Sequence, residues 1–219
     1  MNKSIAMKLL ALLMFLTAST AQGALVFQAF LTNGQETPVL VPATQGTSGF
    51  ATFVLNDSGT TLTYALDTFG LDFRGISPTG VSTPPPIAGD PNPNDNATRI
   101  HIHVGPAGSA GGIVFGQVDL ATNPGTINDA DDFAVDIADG AISGAWDATE
   151  GANGNPANFL PARLADLLAG NLYINVHSAD FPGGEIRGQI LLVPEPASLA
   201  LVGLALMGVA LTRRRGRKK

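Results

Sequence analysis

The segment YINVHSADFPGGEIRGQI, residues 173–190, decides the fold because polar and apolar residues alternate on both sides of its Phe-Pro-Gly-Gly turn. Alternation with a period of two is the pattern of a β-strand that buries one face. The polar positions are Tyr173, Asn175 and His177 before the turn and Glu185, Arg187 and Gln189 after it. The segment therefore predicts two strands joined by a turn, with polar side chains aligned on one face.

A shorter segment, IHIHVG at residues 100–105, alternates in the same way and places His101 and His103 on one face. Together with His177, these are all three histidines of the chain. If the two segments form neighbouring strands, the three imidazoles meet a carboxylate and a guanidinium of the longer segment. This is the one candidate site that the sequence offers.

Two interpretations of these residues remain open. A His-x-His strand presents two imidazoles to a metal, and a third histidine completes the ligand set of a mononuclear zinc or copper site. The predicted ligands are His101, His103 and His177, with Glu185 as a further ligand or an orienting group. In the other interpretation, no metal binds and the polar side chains tie the central strands together through hydrogen bonds. That structural cluster would contain Glu185, Arg187 and Asn175.

A non-enzymatic structural or binding role is favoured over catalysis. The chain has no catalytic serine or cysteine motif and no phosphate-binding glycine loop of the usual spacing. A hydrolase acting on a matrix polymer is the third hypothesis, but no pair of carboxylates has a spacing that identifies an acid and a base. The expected cofactor is therefore either none or one zinc or copper ion.

The rest of the chain predicts a mainly β fold. Alternating segments follow one another at short intervals at residues 24–31, 46–55, 60–66 and 113–120, and turn signals separate them. This pattern is typical of an antiparallel β-sandwich or Greek-key barrel. A leucine-rich segment at 155–168, ended by Gly170, predicts one short helix.

Two further segments of this region have no regular strand pattern. The proline-rich residues 77–98 predict a long exposed loop, for which an insertion is favoured over a functional flap. Residues 129–139 contain five aspartates but lack the spacing of an EF-hand loop. A solvated acidic face is therefore favoured there over a calcium site.

The two ends of the chain do not belong to this domain. Residues 1–23 have two lysines, a short apolar run and then small residues, which predicts a signal peptide with a helical core. Residues 193–219 begin with the sequence VPEP, continue as an apolar run that predicts a hydrophobic helix, and end in a basic cluster. The predicted domain therefore spans residues 24–192, with the membrane engaged through the C-terminal helix before processing.

The C-terminal segment resembles the PEP-CTERM sorting signal of Gram-negative bacteria. The residues that carry this resemblance are Pro194, Glu195, Pro196, Arg213, Arg214 and Arg215. The resemblance implies processing by an exosortase-type enzyme, after a signal peptidase has removed the N-terminal segment. It also implies transient anchoring in the inner membrane, followed by delivery to the cell surface or the exopolysaccharide matrix.

The charge of the predicted domain excludes some partners. Residues 24–192 contain 17 acidic and four basic residues, a formal net charge of −13. Such a surface repels nucleic acid and anionic lipid. The chain has no cysteine, so no disulfide stabilises the exported domain.

Several motifs of the domain, in order, are similar to those of the CHRD family, which is named for its occurrence in chordin. They are the GQETP string at 34–38, the IHIHVGPAG block at 100–108, the leucine-rich helix and the segment 171–190. The resemblance implies a β-rich extracellular domain and brings no settled biochemical activity. The IHIHVG string is also similar to the first copper-ligand strand of copper/zinc superoxide dismutases, whose full site needs more histidines and a disulfide.

Overall fold

The computed structural model describes residues 24–39, 46–129 and 131–194. The predicted signal peptide at 1–23 lies outside these ranges, as does the predicted hydrophobic helix after Pro194. No helix in the described ranges is long and apolar enough to cross a membrane.

The described chain forms one continuous sheet of eleven strands. The strands are β1 (Leu25–Thr32), β2 (Ser48–Leu55), β3 (Thr61–Phe69), β4 (Val81–Ser82), β5 (Ala97–Val104), β6 (Ile113–Leu120), β7 (Ala134–Asp136), β8 (Ala141–Asp147), β9 (Leu172–Ser178), β10 (Ile186–Gln189) and β11 (Leu191–Leu192). Their order in the sheet is β4-β6-β5-β9-β10-β1-β2-β3-β8-β7, and β11 pairs with β1.

The mainly β prediction with one short helix is confirmed, but the sheet differs from the expected antiparallel sandwich or Greek-key barrel. The sheet is mixed because β4 runs parallel to β6. It curls into a half-barrel. Strand β1 hydrogen-bonds to β2 on one side and to β10 and β11 on the other. This strand joins the N-terminal and C-terminal strands into one hydrogen-bonded surface.

The apolar positions of the alternating strands form the core on one face of the curled sheet. In β2 and β3, buried and more exposed residues alternate without interruption. The largest fully buried apolar side chains are Trp146, Phe27, Phe53, Phe73 and Phe115. The Phe115 and Trp146 rings stack with centroids 5.1 Å apart. Each such side chain contributes about 1.5–3 kcal/mol by leaving water, so this core stabilises a domain that has no disulfide.

The single described α-helix, α1 (Leu160–Leu168), begins later than the predicted start at residue 155. The Asn155 side chain instead caps a 3-10 turn at Pro156–Asn158. Phe159 then has an extended backbone, with ψ of 148°, which separates the turn from the helix. The helix buries Leu160 and Leu167 against the core.

The proline-rich loop at 77–98 contains the two-residue strand β4 and leads into β5. The Ser82 hydroxyl donates to the Thr98 carbonyl oxygen over 2.6 Å. This contact joins the start of the loop to the start of the histidine-bearing strand.

Candidate metal centre

The two histidine-bearing strands are neighbours, as the sequence predicts. Strand β5 pairs antiparallel with β9, with His101 opposite Asn175 and His103 opposite Tyr173. His177 lies opposite Arg99 and is therefore a diagonal neighbour of His101. Directly opposite and diagonal residues on one face of a sheet are within reach of each other. The register therefore brings all three imidazoles together.

The three imidazoles form a compact, buried cluster. Each ring offers one nitrogen, and these nitrogens lie within 4.8 Å of one another. The ring centroids of His101 and His177 are 5.3 Å apart, and those of His101 and His103 are 5.7 Å apart. The exposed fractions of His101, His103 and His177 are 1%, 8% and 7%.

Backbone carbonyls orient two of the rings. Nδ1 of His103 lies 3.0 Å from the carbonyl oxygen of Gly111, and Nδ1 of His177 lies 2.9 Å from that of Pro182. A carbonyl oxygen only accepts, so Nδ1 of each ring carries the hydrogen. In a neutral ring, Nε2 is then an unprotonated nitrogen with a free lone pair.

A carboxylate orients the third ring. Nε2 of His101 lies 3.0 Å from Oδ2 of Asp119, which is 1% exposed. Burial alone would raise the pKa of Asp119, but hydrogen bonds from His101, Thr126 and the Leu120 amide outweigh it and lower the pKa. Asp119 is therefore an ionised acceptor, and His101 donates to it from Nε2. In the neutral ring, the lone pair of His101 is then on Nδ1.

The three remaining ring nitrogens share one unusual property. His101 Nδ1, His103 Nε2 and His177 Nε2 are buried and have no hydrogen-bond partner within the described ranges. A buried polar atom without a partner costs free energy, typically about 1–3 kcal/mol. Three such atoms belong to one cluster of rings here, and each has a lone pair when its ring is neutral.

Both carbonyl-bound histidines are neutral at physiological pH. The pKa of His103 is lowered to about 4 and that of His177 to about 3, and burial is the largest cause of both shifts. The nearby His101 lowers both values further. A metal binds only the unprotonated imidazole, so these two rings need to lose no proton to act as ligands at neutral pH.

The donor set fits a zinc or copper ion. Imidazole nitrogens suit both metals, and three histidines form a known zinc ligand set. Nitrogens bound tetrahedrally at about 2.0–2.1 Å from zinc are about 3.4 Å apart. The nitrogens in this cluster therefore need to approach one another by at most about 1.4 Å to share an ion.

Asp119 is held by further donors. Its Oδ1 accepts from Arg99 Nε over 3.0 Å and from the Leu120 amide over 2.7 Å. Its Oδ2 accepts from the Thr126 hydroxyl as well as from His101. Carboxylate–histidine pairs fix the tautomer of a metal ligand in the same way. Asp119 therefore has the position of an outer-shell group.

The 105–112 loop holds the opposite side of the cluster. The Gly111 carbonyl accepts from His103, and the Gly111 amide donates to the Tyr173 hydroxyl over 3.1 Å. The Tyr173 and His103 rings are nearly parallel, with centroids 4.9 Å apart. A Cβ atom at Gly111 would overlap the Val104 carbonyl oxygen. Glycine is therefore required where the loop closes over the two rings.

Arg187 forms a second buried polar group beside the histidines. Its guanidinium carbon lies 3.4 Å from the centroid of the Tyr173 ring. Because β9 lies between β5 and β10, Tyr173 has His103 on one side and Arg187 on the other. One guanidinium nitrogen also donates to the Pro106 carbonyl over 3.1 Å.

The structure corrects the predicted role of Glu185. Its carboxyl lies beside Ser178 and Thr47, and it is not among the groups whose ligand atoms lie within 4.8 Å of the histidine nitrogens. Glu185 precedes Ile186, the first residue of β10, so strand alternation does not determine where its side chain points. It belongs neither to the histidine cluster nor to the group around Arg187.

The carboxyl group beside Arg187 and Asn175 belongs to Glu36, whereas the sequence predicted Glu185 there. The Glu36 carboxyl interacts electrostatically with Arg187 and lies beside the Asn175 side chain. Burial outweighs both interactions and raises the pKa of Glu36 to about 7. Arg187 and Asn175 are opposite each other in the β9–β10 ladder, so these two predicted members do meet.

Sequence reasoning missed Asp119, although a signal was present. Asp119 is the acidic residue of the strand segment IVFGQVDL, and it is 1% exposed in β6. A carboxylate in a buried strand requires hydrogen-bond or charge partners. The carbonyls of Gly111 and Pro182 had no comparable signal, because loop conformation alone brings them to the rings.

The fold and the site together define a β-sheet domain with a buried three-histidine cluster between its central strands. The CHRD domain model matches residues 27–190, and the chain belongs to the CHRD family. The model of the PEP-CTERM protein-sorting motif matches residues 192–215. This motif implies export, a surface or extracellular location and processing by an exosortase-type system. The chain has no match among curated proteins or solved structures.

Proposed function

We propose that this protein is a non-enzymatic surface or matrix protein whose CHRD domain binds one zinc or copper ion through His101, His103 and His177. The observation that carries the proposal has two parts: each imidazole offers a nitrogen within 4.8 Å of those of the other two, and each ring has one buried nitrogen without a partner in the described ranges. An ion at their centre would accept all three lone pairs. It would also join β5 to β9 at the middle of the sheet.

The orientation of the rings supports metal binding over a purely structural cluster. In a hydrogen-bonded clasp, the inward nitrogens would donate and accept among themselves. Here the hydrogens of His103 and His177 are used by outward carbonyls, and that of His101 by Asp119. Only lone pairs are left to face inward, and this arrangement suits a cation.

Burial supports binding over catalysis. The inward nitrogens have almost no accessible surface, so a dissolved substrate does not reach them without movement of the rings. Catalytic zinc sites keep a position open for water or substrate, whereas structural sites are closed. The metal would therefore stabilise the sheet or hold it in one conformation.

The route to the surface follows from the sorting motif and the N-terminal segment. A signal peptidase removes residues 1–23, and the C-terminal helix holds the protein in the inner membrane of a Gram-negative cell. An exosortase-type enzyme then processes the tail near Pro194, and the acidic domain joins the exopolysaccharide or other matrix components. The match of residues 192–215 to the sorting motif supports this route.

Elemental analysis of untagged protein tests the metal proposal. We expect close to one zinc or copper ion per chain after dialysis, and less than a tenth of that amount in the His101→Ala/His103→Ala variant. Removing the ion with a chelator should lower the melting temperature, because an ion that binds only the native state stabilises it.

Tyr173→Phe is the matched control. This change removes the hydroxyl that accepts from the Gly111 amide but leaves all three imidazoles in place. The variant should keep its metal. Wild-type protein that takes up neither zinc nor copper, even when refolded with each, would leave the structural cluster as the remaining explanation.

A further inference from the structure

A second group of ligand atoms lies far from the histidines in sequence, in the segment between β6 and β7. Asp129, Asp131 and Asp132 each offer an oxygen, and these oxygens lie within 4.8 Å of one another. Asp131 also interacts with the carboxyl of Glu150, which follows β8. The sequence favours a solvated acidic face here, but Asp129 is buried, with 0% of its surface exposed.

The buried aspartate has an unused oxygen. Oδ2 of Asp129 accepts from the Tyr64 hydroxyl, whereas Oδ1 is buried and has no hydrogen-bond partner within the described ranges. Gly144 makes room for this pair, because a Cβ atom there would overlap Asp129 and lie 2.7 Å from the Tyr64 oxygen. The Tyr64 contact fixes one side of the carboxylate, and Asp132 lies beside the same carboxyl.

The charge of the cluster is not balanced by arginine. The four arginines of the domain have partners elsewhere: Arg74 with Asp72 and Asp90, Arg99 with Asp119, Arg163 with Asp166, and Arg187 over the Tyr173 ring. Burial and neighbouring carboxylates raise the pKa of Asp129 to about 9 and that of Glu150 to about 7. Carboxylates that are brought together without a cation are expected to respond in this way.

The domain contains a contrasting cluster. The ligand atoms of Asp72, Asp90 and Asp95 also lie within 4.8 Å of one another. There, Arg74 is 3.2 Å from Asp72 and 3.6 Å from Asp90, and hydrogen bonds from Asn96 and the Asn92 amide, together with Arg74, lower the pKa of Asp90. Arg74 therefore serves as the cation of that cluster, whereas the Asp129 cluster has no such residue among its described contacts.

We propose that Asp129, Asp131, Asp132 and Glu150 bind one calcium ion. Two oxygens bound to the same calcium ion at about 2.4 Å each are at most about 4.8 Å apart, so the observed spacing admits a shared ion. All the ligands are carboxylate oxygens, which suit calcium better than zinc or copper. Asp129 supplies the unpartnered Oδ1, and the exposed Asp131 and Asp132 give the ion access to solvent.

The ion would reinforce the link between the two segments that flank the β7–β8 pair, where the Ala145 amide already donates to Asp132. Asp129, Asp131 and Asp132 precede β7, whereas Glu150 lies in the turn after β8. The Asp147 amide donates to Glu150 over 2.8 Å, and Trp146 Nε1 donates to the Glu150 carbonyl over 2.8 Å. Calcium would therefore fasten the β6–β7 segment over this turn. This proposal is independent of the histidine site.

Terbium luminescence tests the proposal directly. Terbium replaces calcium at oxygen sites, and its emission is sensitised by a nearby tryptophan. Trp146, the only tryptophan of the chain, contacts Glu150. Excitation of Trp146 in the full-length protein should produce terbium emission that excess calcium removes. Calcium alone should also raise the melting temperature of chelator-treated protein.

Charge-neutral variants locate the site. Asp131 is exposed, so Asp131→Asn should fold and bind calcium at least tenfold more weakly, and Asp129→Asn should do the same if it folds. Asp139→Asn, a change at an exposed aspartate of the same stretch outside the cluster, should bind as the wild type does. His177→Gln should also retain calcium binding.

Two results would overturn the proposal. One is wild-type protein without calcium-displaceable terbium emission, which would mean that the carboxyl groups share protons instead of an ion. The other is equal calcium affinity in Asp131→Asn and Asp139→Asn, which would mean that calcium binds diffusely to the acidic surface.

Discussion

The Asp119→Asn substitution should invert the tautomer of His101 and weaken metal binding. The asparagine amide has one oxygen and one NH2 group in place of two equivalent oxygens. Oδ1 of Asp119 faces three donors, Arg99 Nε, the Leu120 amide and Asn123 Nδ2, so the amide oxygen must take that position. The NH2 group then takes the position of Oδ2, opposite Nε2 of His101.

The NH2 group donates, so Nε2 of His101 must become the acceptor. The ring hydrogen then moves to Nδ1, the nitrogen that faces the other two imidazoles. A protonated Nδ1 does not bind a metal, and restoring the original tautomer would break the new hydrogen bond. Loss of such an outer-shell partner weakens metal affinity by about 10–100-fold, which is about 1.4–2.7 kcal/mol.

Competition with a chromophoric chelator measures this affinity, and nitrogen chemical shifts of the histidine rings report the tautomer. Thr126→Val is the control, because it removes one donor to Asp119 and keeps the carboxylate that orients His101. It should change affinity by less than about threefold. A folded Asp119→Asn protein that binds zinc within twofold of wild type, with Nε2 of His101 still protonated, would refute this reasoning.

Two further predictions concern the surroundings of the site. Glu36→Gln should remove a pH dependence of stability. Folding raises the pKa of Glu36 from 4.5 to about 7, so protonation of this carboxyl favours the folded state. This stabilisation is complete below pH 4.5 and is lost as the pH rises through 7. In urea unfolding, the unfolding free energy of the wild type should therefore fall by on the order of 3 kcal/mol relative to that of Glu36→Gln between pH 4 and pH 8. Parallel pH profiles of the two proteins would contradict this prediction. Gly111→Ala should lower the unfolding free energy by about 1–3 kcal/mol because its Cβ overlaps the Val104 carbonyl, whereas a Cβ at Gly112 meets nothing within 4 Å. Equal denaturation midpoints for Gly111→Ala and Gly112→Ala would show that the loop adjusts freely.

The sequence alone was sufficient to predict which residues occupy the site's central strands. Period-two alternation assigned His101, His103 and His177 to polar strand faces, and the β5–β9 ladder bears this out. Local alternation succeeds here because successive side chains of a strand point to opposite faces, although both faces of β9 are buried. The same reasoning failed for Glu185, which lies outside the ladder at the end of a turn.

The tertiary structure decided everything that depends on loops and on distant strands. Glu36 replaces Glu185 beside Arg187 because a segment more than 140 positions earlier in the chain packs there. Asp129 is buried because Tyr64 and Gly144, on β3 and β8, make room for its side chain and hold it.

The sequence by itself determined the mainly β fold, the sorting motif and the three histidines, because composition and alternation are local properties of the chain. Only the tertiary structure decided which ring nitrogens have lone pairs free to face one another. That choice depends on Asp119, Gly111 and Pro182, whose contacts with the rings arise from strand register and loop closure.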